Sequence, residues 1–436
     1  MPTPPSSARW RGIMSELRER RIRSPPEWGI EPVPEKVKIL RGIDLFVLWS
    51  SLGVGILVLQ AGALMVPALT IDQAILVSFI GSIAGSTLLA AAGVIGARHG
   101  VPTMVSLRPI FGFTGSYIAT ILNVIQLVGW TALQLKVMAD ASSLILGGGY
   151  ELAWLALFTI IVTLLAIGGP LTVVRQWLEK FAIWFVYAST AWITYIVITT
   201  PEWATFGGEG GLPWTLALDL VIAMPISWMP LVSDYSRFSS KAKSGFLSTL
   251  LGYTLANTWF YSLGAALALM SGQEFVAASI LSLYFGWIAL LFILVDETDN
   301  AFADVYSCAL SIQNVFPRIK QWKLIVLISF VSAVLAYFLP LSQYEWFLLL
   351  IGASFVPLFG AMLSEYFLVR RGRVDIREFY GGAPRLVPRS IVSWIAGLLT
   401  YFAVATYALD LGASLPSFLV SALLQYLLGR WQGWSG

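Results

Sequence analysis

Hydrophobic runs of about 20 residues, the length that crosses a bilayer core as one α-helix, recur along nearly the whole 436-residue chain. Their repetition argues for helices rather than a β-barrel. Twelve spans are expected: Ile43–Ala68, Gln73–Ala97, Ser116–Leu146, Leu152–Ile167, Gln176–Ile198, Trp214–Leu231, Phe246–Met270, Trp287–Ile312, Leu324–Leu339, Trp346–Val369, Ile391–Ala408 and Leu415–Leu428. The stretch Gln273–Gly286, between the seventh and eighth, is apolar but short, and reads as a helix on the outer face or re-entering. Before the first span, Met1–Arg41 is Pro-rich and basic, a tail with room for a short amphipathic helix over Ser7–Arg23.

The apolar pattern is broken most sharply inside the eighth span, where V-D-E-T-D-N-A-F-A-D-V-Y runs from Val295 to Tyr306. It carries four carboxylates, Asp296, Glu297, Asp299 and Asp304. Acids inside a span are costly and normally face a cavity, an ion or a partner. The competing reading is a cytoplasmic loop. Against it, no Lys or Arg lies between Lys243 and Arg318, and the helical pattern continues to Ile312.

Charge sets the topology. Lys and Arg cluster in every second connection: Arg98 and Arg108 after span 2, Arg175 and Lys180 at the start of span 5, and Arg237, Lys241 and Lys243 after span 6. Further groups follow span 8 (Arg318, Lys320, Lys323) and span 10 (Arg370 to Arg389). The positive-inside rule then places both termini in the cytoplasm, on a multi-pass protein of the cell membrane. Composition agrees with an all-α integral membrane protein, at 57% hydrophobic and 12% charged. A net charge of +3 is too small to argue for nucleic acid as a partner. Cys308 is the sole cysteine, so no intrachain disulfide forms. His99, the sole histidine, sits beside Arg98 at a helix end and reads as a solvated loop residue. No H-E-x-x-H, G-x-S-x-G or Cys/His cluster supports an enzyme, and no organic cofactor is implied.

Two spans carry interruptions at matched rank, S-S-L-G-V-G (Ser50–Gly55) in the first and P-I-S-W-M-P (Pro225–Pro230) in the sixth. Glycine weakens a helix and proline removes a backbone donor, so each stretch frees carbonyls and amides. Paired broken spans point to a transporter built from inverted repeats. The expected organisation is a tail (1–42), a first repeat (43–200, spans 1–5), a second repeat (213–370, spans 6–10) and two further spans (390–430).

The third span contains G-W-T-A-L-Q, which sets Trp130 and Gln134 one turn apart on one helical face. An indole offers a π surface for a flat heteroaromatic ring, and the amide supplies both a donor and an acceptor. Ordinary packing and a helix–helix hydrogen bond are the alternative uses of these two residues.

With S-D-Y-S-R-F (Ser233–Phe238) after span 6 and T-D-N-A-F-A-D in span 8, this motif resembles the nucleobase:cation symporter-1 family of cytosine, purine, allantoin and hydantoin permeases. The similarity covers about Gly42 to Leu428. It implies the 5+5 inverted-repeat fold of amino-acid transporters with two extra C-terminal helices. It also implies that Trp130 stacks on the base and that Gln134 and Asp304 bond its rim. Ser227 takes a substrate-contacting position, with Trp228 beside it. For a coupling cation, Na+ or H+, the resemblance points to the carbonyls of Gly53, Ile56 and Val295 with Thr298 and Asp299. The separation from Gly53 to Ser227, 174 residues, equals that from Trp130 to Asp304, as a duplicated unit would give.

The chain departs from the family where Asp299 and Asp304 replace the usual Thr and Asn. An ionised Asp304 only accepts hydrogen bonds, which suits a base presenting adjacent donors. Asp299 permits either Na+ binding or proton carriage. The sequence thus points to a symporter of a nucleobase-like heterocycle embedded in the lipid bilayer. Hydroxymethylpyrimidine, allantoin or hydantoin stand as alternative substrates, and a channel or a membrane enzyme as remote alternatives. The oligomeric state is not legible.

Overall fold

A computed structural model describes residues 28–172, 183–200, 210–272, 275–340, 344–408 and 411–434. Among them every regular element is helical, apart from one isolated bridge between Leu40 and Ser239. The principal helices are α1 (Gly42–Ser51), α2 (Ile56–Ala63), α3 (Ile71–His99), α4 (Arg108–Ile145), α5 (Glu151–Gly168) and α6 (Ile183–Thr199). The second half holds α7 (Trp214–Ser227), α8 (Val232–Ser236), α9 (Ala242–Ser271), α10 (Val276–Leu281), α11 (Gly286–Val315), α12 (Gln321–Phe338) and α13 (Tyr344–Leu363). Two helices, α14 (Pro388–Tyr407) and α15 (Ser414–Trp434), close the chain.

Among the described residues, seven helical stretches are long and apolar enough to cross a membrane, and the bent pair α1–α2 makes an eighth. The helix α11 is 30 residues long but carries the four carboxylates, and α6, at 17 described residues, is short. The amphipathic tail segment and the residues Arg175 and Lys180 lie outside the described residues. Outward faces are apolar, as with Ile118, Ile121 and Ile125 on α4, and suit contact with lipid.

The packing falls into two groups. In one, α9 lies against α3, α1 and α2, and α7 lies against α3. In the other, α11 packs on α4, α5, α6 and α12. Backbones in the first group approach very closely: a Cβ on Gly264 of α9 would stand 1.9 Å from the Leu59 carbonyl oxygen, and one on Gly62 of α2 would stand 2.1 Å from that of Tyr261. Only hydrogen fits at either position.

The C-terminal pair is attached by buried acids. Asp219 of α7 accepts hydrogen bonds from the backbone N–H groups of Ala413 and Ser414, at the start of α15. Its charge sits where a helix N-terminus favours an anion. Glu365, fully buried after α13, accepts from Arg370 (3.0 Å), Arg389 (2.7 Å) and Gln425 (2.7 Å).

Two expectations are corrected. The S-D-Y-S-R-F stretch is not a loop beyond span 6, because α8 continues that span to Ser236. Arg237 is fully buried there, donating to the carbonyls of Trp28 and Gly29 (2.8 Å each) and to the Tyr306 hydroxyl (3.0 Å). It satisfies its guanidinium inside the protein instead of facing water. His99 is half-buried rather than solvated, with Nε2 3.0 Å from the Tyr366 hydroxyl and its ring edge-on to that of Tyr366. In the short stretch after span 7, α10 buries Val276, Ala277 and Ile280, and its Val276 N–H donates to Gln60 of α2 (3.0 Å).

Replacing Gly264 by Ala forces the α2–α9 crossing apart and should cost about 1–3 kcal/mol, as other overpacked interiors do. Gly168, where an added methyl group would meet nothing within 4 Å, is the control. Thermal unfolding in detergent should show a lowered midpoint for Gly264→Ala and no lowering for Gly168→Ala; equal midpoints would refute the close-crossing account.

Candidate substrate and ion site

The break in span 1 comprises Leu52 to Gly55, and the helix axis turns by 56° across it. Gly55 adopts a φ of +156°, and a Cβ there would lie 2.7 Å from Glu297 Oε2, so both backbone shape and contact demand glycine. Two of the groups freed by the break find partners on α11. The Ile56 N–H donates to Glu297 Oε2 (2.7 Å), and the Asn300 amide donates to the Val54 carbonyl (2.7 Å). Just before the break, Ser51 Oγ donates to Asp296 Oδ1 (2.6 Å). Helix α11, continuous through Val295–Tyr306 with its acids buried, is therefore no loop; it fastens the break.

Span 6 behaves alike with less bending. It runs from Trp214 to Ser236 as one span, with a 3-10 turn at Met229–Leu231. Two amides from α4 reach its loosened backbone, Gln126 to the Ser227 carbonyl (3.0 Å) and Asn123 to that of Pro230 (3.5 Å).

A narrow cavity of about 20 Å³ opens where the two breaks face α4 and α11. That is room for about one water molecule, so the lining side chains are closed on one another in this conformation. All five residues expected at the substrate, Trp130, Gln134, Ser227, Trp228 and Asp304, line it. The Trp130 ring is braced edge-on by Phe347 of α13 at 5.5 Å, and Trp228 by Trp49 at 6.4 Å. Gln134 of α4 and Asp304 of α11 both face this space. Asp304 Oδ2 and Gln134 Oε1 are buried with no hydrogen-bond partner among the described residues. Buried polar atoms are rarely left so, and both are acceptors.

The sequence reading did not place Glu297 and Asn300 in the site, yet both line the cavity. The signal was present: Glu297, Asn300 and Asp304 stand at i, i+3 and i+7, one face of α11. The apolar part of the wall, Leu52, Val54, Leu57, Val58 and Met224, carries no such mark.

The residues expected at the cation do not line this cavity. Thr298 Oγ1 donates to the Val295 carbonyl (2.6 Å), a back-bond within α11 that sets two oxygens side by side. Asp299 is fully buried one residue on. Gly53 lies within the break against α9, where a Cβ would be 3.0 Å from that of Ala256, and Ile56 opens α2 with its N–H on Glu297. Oxygen ligands of this kind suit a hard cation. No cluster of three or more His, Cys, Asp or Glu able to hold a metal ion occurs among the described residues.

A helical bundle with a small, largely apolar cavity carrying a few polar side chains at a broken span, walled by two separately packed helix groups, is the build of a multi-pass membrane transporter. A family model described as "permease for cytosine/purines, uracil, thiamine, allantoin" matches residues 32–429, and the chain belongs to this family, the nucleobase:cation symporter-1 permeases. The hydantoin permease of Microbacterium maritypicum is 25% identical, with 89% of this chain and 85% of that protein covered. A putative purine-cytosine permease of Bacillus subtilis, YxlA, is 23% identical, with 93% and 92% covered. Among solved structures, Mhp1, a nucleobase-cation-symport-1 family transporter in a closed conformation with bromovinylhydantoin bound, matches with a TM-score of 0.82 at 18% identity, covering 94% of this chain and 96% of that one. A Na+-coupled sialic acid symporter matches more loosely, with a TM-score of 0.55 at 13% identity over 91% of each chain.

Asn300→Leu keeps the side-chain volume but removes the donor to the Val54 carbonyl. Leaving that acceptor buried should cost about 1–3 kcal/mol. Thermal unfolding measures it, and a midpoint equal to the parent's would show that the break does not depend on this bond.

Proposed function

We propose that the chain is a secondary active transporter that imports a nucleobase or related planar heterocycle, a cytosine-like pyrimidine or a purine, by symport with Na+ or H+. One observation carries this reading: a π face (Trp130), a mixed amide (Gln134) and an acid (Asp304) surround one small cavity at a broken span. The two orphaned acceptor oxygens favour a ring edge with adjacent N–H donors over hydantoin or allantoin, whose rims alternate N–H with C=O.

Twelve spans with both termini in the cytoplasm, in repeats 43–200 and 213–370 followed by two spans in 390–430, form the scaffold of this proposal. Element lengths support it, α3 and α9 being 29 and 30 residues. The bonding at the breaks supports it further. Asn123 and Gln126 of α4 stand the same 174 residues before Glu297 and Asn300 of α11 as Trp130 stands before Asp304. Each pair serves the broken span of the opposite half. Alternating access is then a rocking of the α1–α3, α7–α9 group against the α4–α5, α11–α12 group, with the cavity between them. The cation binds at Val295, Thr298 and Asp299 with the carbonyls of Gly53 and Ile56.

Trp130→Ala should weaken heterocycle binding by about 1–3 kcal/mol, the range for lost base–aromatic stacks. Binding to purified protein tests this, and unchanged affinity in a folded variant removes Trp130 from the site. Asp299→Asn separates the coupling ions in proteoliposomes. If protons couple, the variant loses accumulation driven by a pH gradient yet still exchanges substrate. If Na+ couples, its Na+ requirement rises steeply. Accumulation like the parent's under both gradients would take Asp299 out of the coupling site.

A further inference from the structure

The cavity wall holds two carboxylates, Glu297 and Asp304, and no Lys, Arg or His. Neither acid enters an ion pair among the described residues. The basic groups in the interior are committed elsewhere. Arg108 donates to the carbonyls of Phe379 (2.8 Å) and Asn314 (3.1 Å), and Arg237 to Trp28, Gly29 and Tyr306. Lys136, two residues from Gln134, holds both oxygens of Asp140 at 2.5 and 2.7 Å.

The position of Glu297 adds a second point. The N-terminus of a half-helix at a broken span is where an anionic group of a substrate would bind, because the unpaired N–H groups and the helix dipole attract it. Here the protein's own carboxylate occupies the start of α2, with Oε2 on the Ile56 N–H. The end of the cavity best suited to an anion is thus already closed by a negative group. Two turns further along the same face of α11, Asp304 directs an acceptor oxygen without a partner toward the space beside Gln134.

Buried acids sharing a small, largely apolar space are neutralised either by a proton or by a positive charge near them. The faces of Trp130 and Trp228 in the same wall attract a cation through the ring quadrupole. Resting on the heterocycle-transporter reading above, we infer that the ligand of this cavity is a planar heterocycle carrying a positive charge and an exocyclic amino group, with Asp304 and Gln134 accepting its N–H donors and Glu297 supplying the second counter-charge. Anionic heterocycles are excluded by the same two acids, and neutral bases bind less tightly than cations of similar shape.

The test is equilibrium binding to the purified protein of a neutral set (cytosine, adenine, uracil, allantoin) and a cationic set (thiamine and 4-amino-1-methylpyridinium). The tightest ligand should be cationic. Glu297→Gln retains an acceptor for the Ile56 N–H and Asp304→Asn retains shape. Each should weaken the best cation by about tenfold or more, and weaken the best neutral ligand by less, because only the cation loses a charge partner. Comparison of the two sets on the parent protein needs no variant, so a misfolded substitution does not blunt the test. A neutral ligand as the tightest, no binding by either cation, or equal losses for both sets would overturn the inference, since the acids would then be neutralised by the coupling ion or by protons. Trp130→Ala in the same assay keeps the two readings apart. If it weakens all ligands while no cation preference exists, the heterocycle site stands and only the charge inference falls; if it changes nothing, the site reading itself falls.

Discussion

The structure depends on how a transmembrane helix can be broken without leaving buried backbone groups unmet. Inside a bilayer a freed amide or carbonyl costs several kcal/mol unless something bonds it. Span 1 breaks at Leu52–Gly55 because a helix of the opposite group supplies the missing partners: Glu297 for the Ile56 amide and Asn300 for the Val54 carbonyl. The acids that look so out of place in an apolar helix are there for this reason among others. Without them the bent backbone at Gly55 would be an unsatisfied gap; without the bend, Glu297 would be a carboxylate with no donor.

The same solution at the other broken span links the two helix groups twice. Gln126 and Asn123 reach from α4 to span 6, as Glu297 and Asn300 reach from α11 to span 1. Both supporting helices belong to one packed group and both broken spans to the other, so the polar bonds cross the boundary along which the proposed rocking occurs. They are few and localised, while the apolar contacts within each group are extensive and close enough at Gly62 and Gly264 to exclude any side chain. Such a division lets each group move as a body and makes the cavity at the boundary sensitive to that motion. It also means that binding at Gln134 and Asp304, on α4 and α11, acts on the walls of one group while Trp228 and Ser227 belong to the other.

Buried charge elsewhere is handled by fastening rather than by recognition. Arg108, Arg237 and Glu365 all sit inside the protein, and each ties together segments far apart in the chain. Arg237 was readable only as a member of a polar connection, and Glu365 only as a residue inside the tenth apolar run. Their full burial follows from what folds over them, the segment near Trp28 in one case and α14 and α15 in the other.

Hydrophobic run length was enough to find the long helices, since it is a property of single segments. The edges of α3, α5 and α12 fall within a few residues of where the apolar runs end. The positions of Trp130, Gln134, Ser227, Trp228 and Asp304 around one cavity also followed from local motifs, read together with a family resemblance. Three things did not follow. The S-D-Y-S-R-F stretch is polar by composition, so nothing local marks it as a buried helical end. Glu297 and Asn300 share a helical face with Asp304, but their role becomes visible only when the backbone of another span arrives opposite them. And the lack of partners for Asp304 Oδ2 and Gln134 Oε1 among the described residues, on which the chemistry of the cavity turns, is a fact about which donors lie nearby. The sequence by itself determined which segments are helices and which polar residues they carry. The tertiary structure alone decided which of those residues face each other, because the partner of a buried polar group is a distant backbone atom whose position no local pattern encodes.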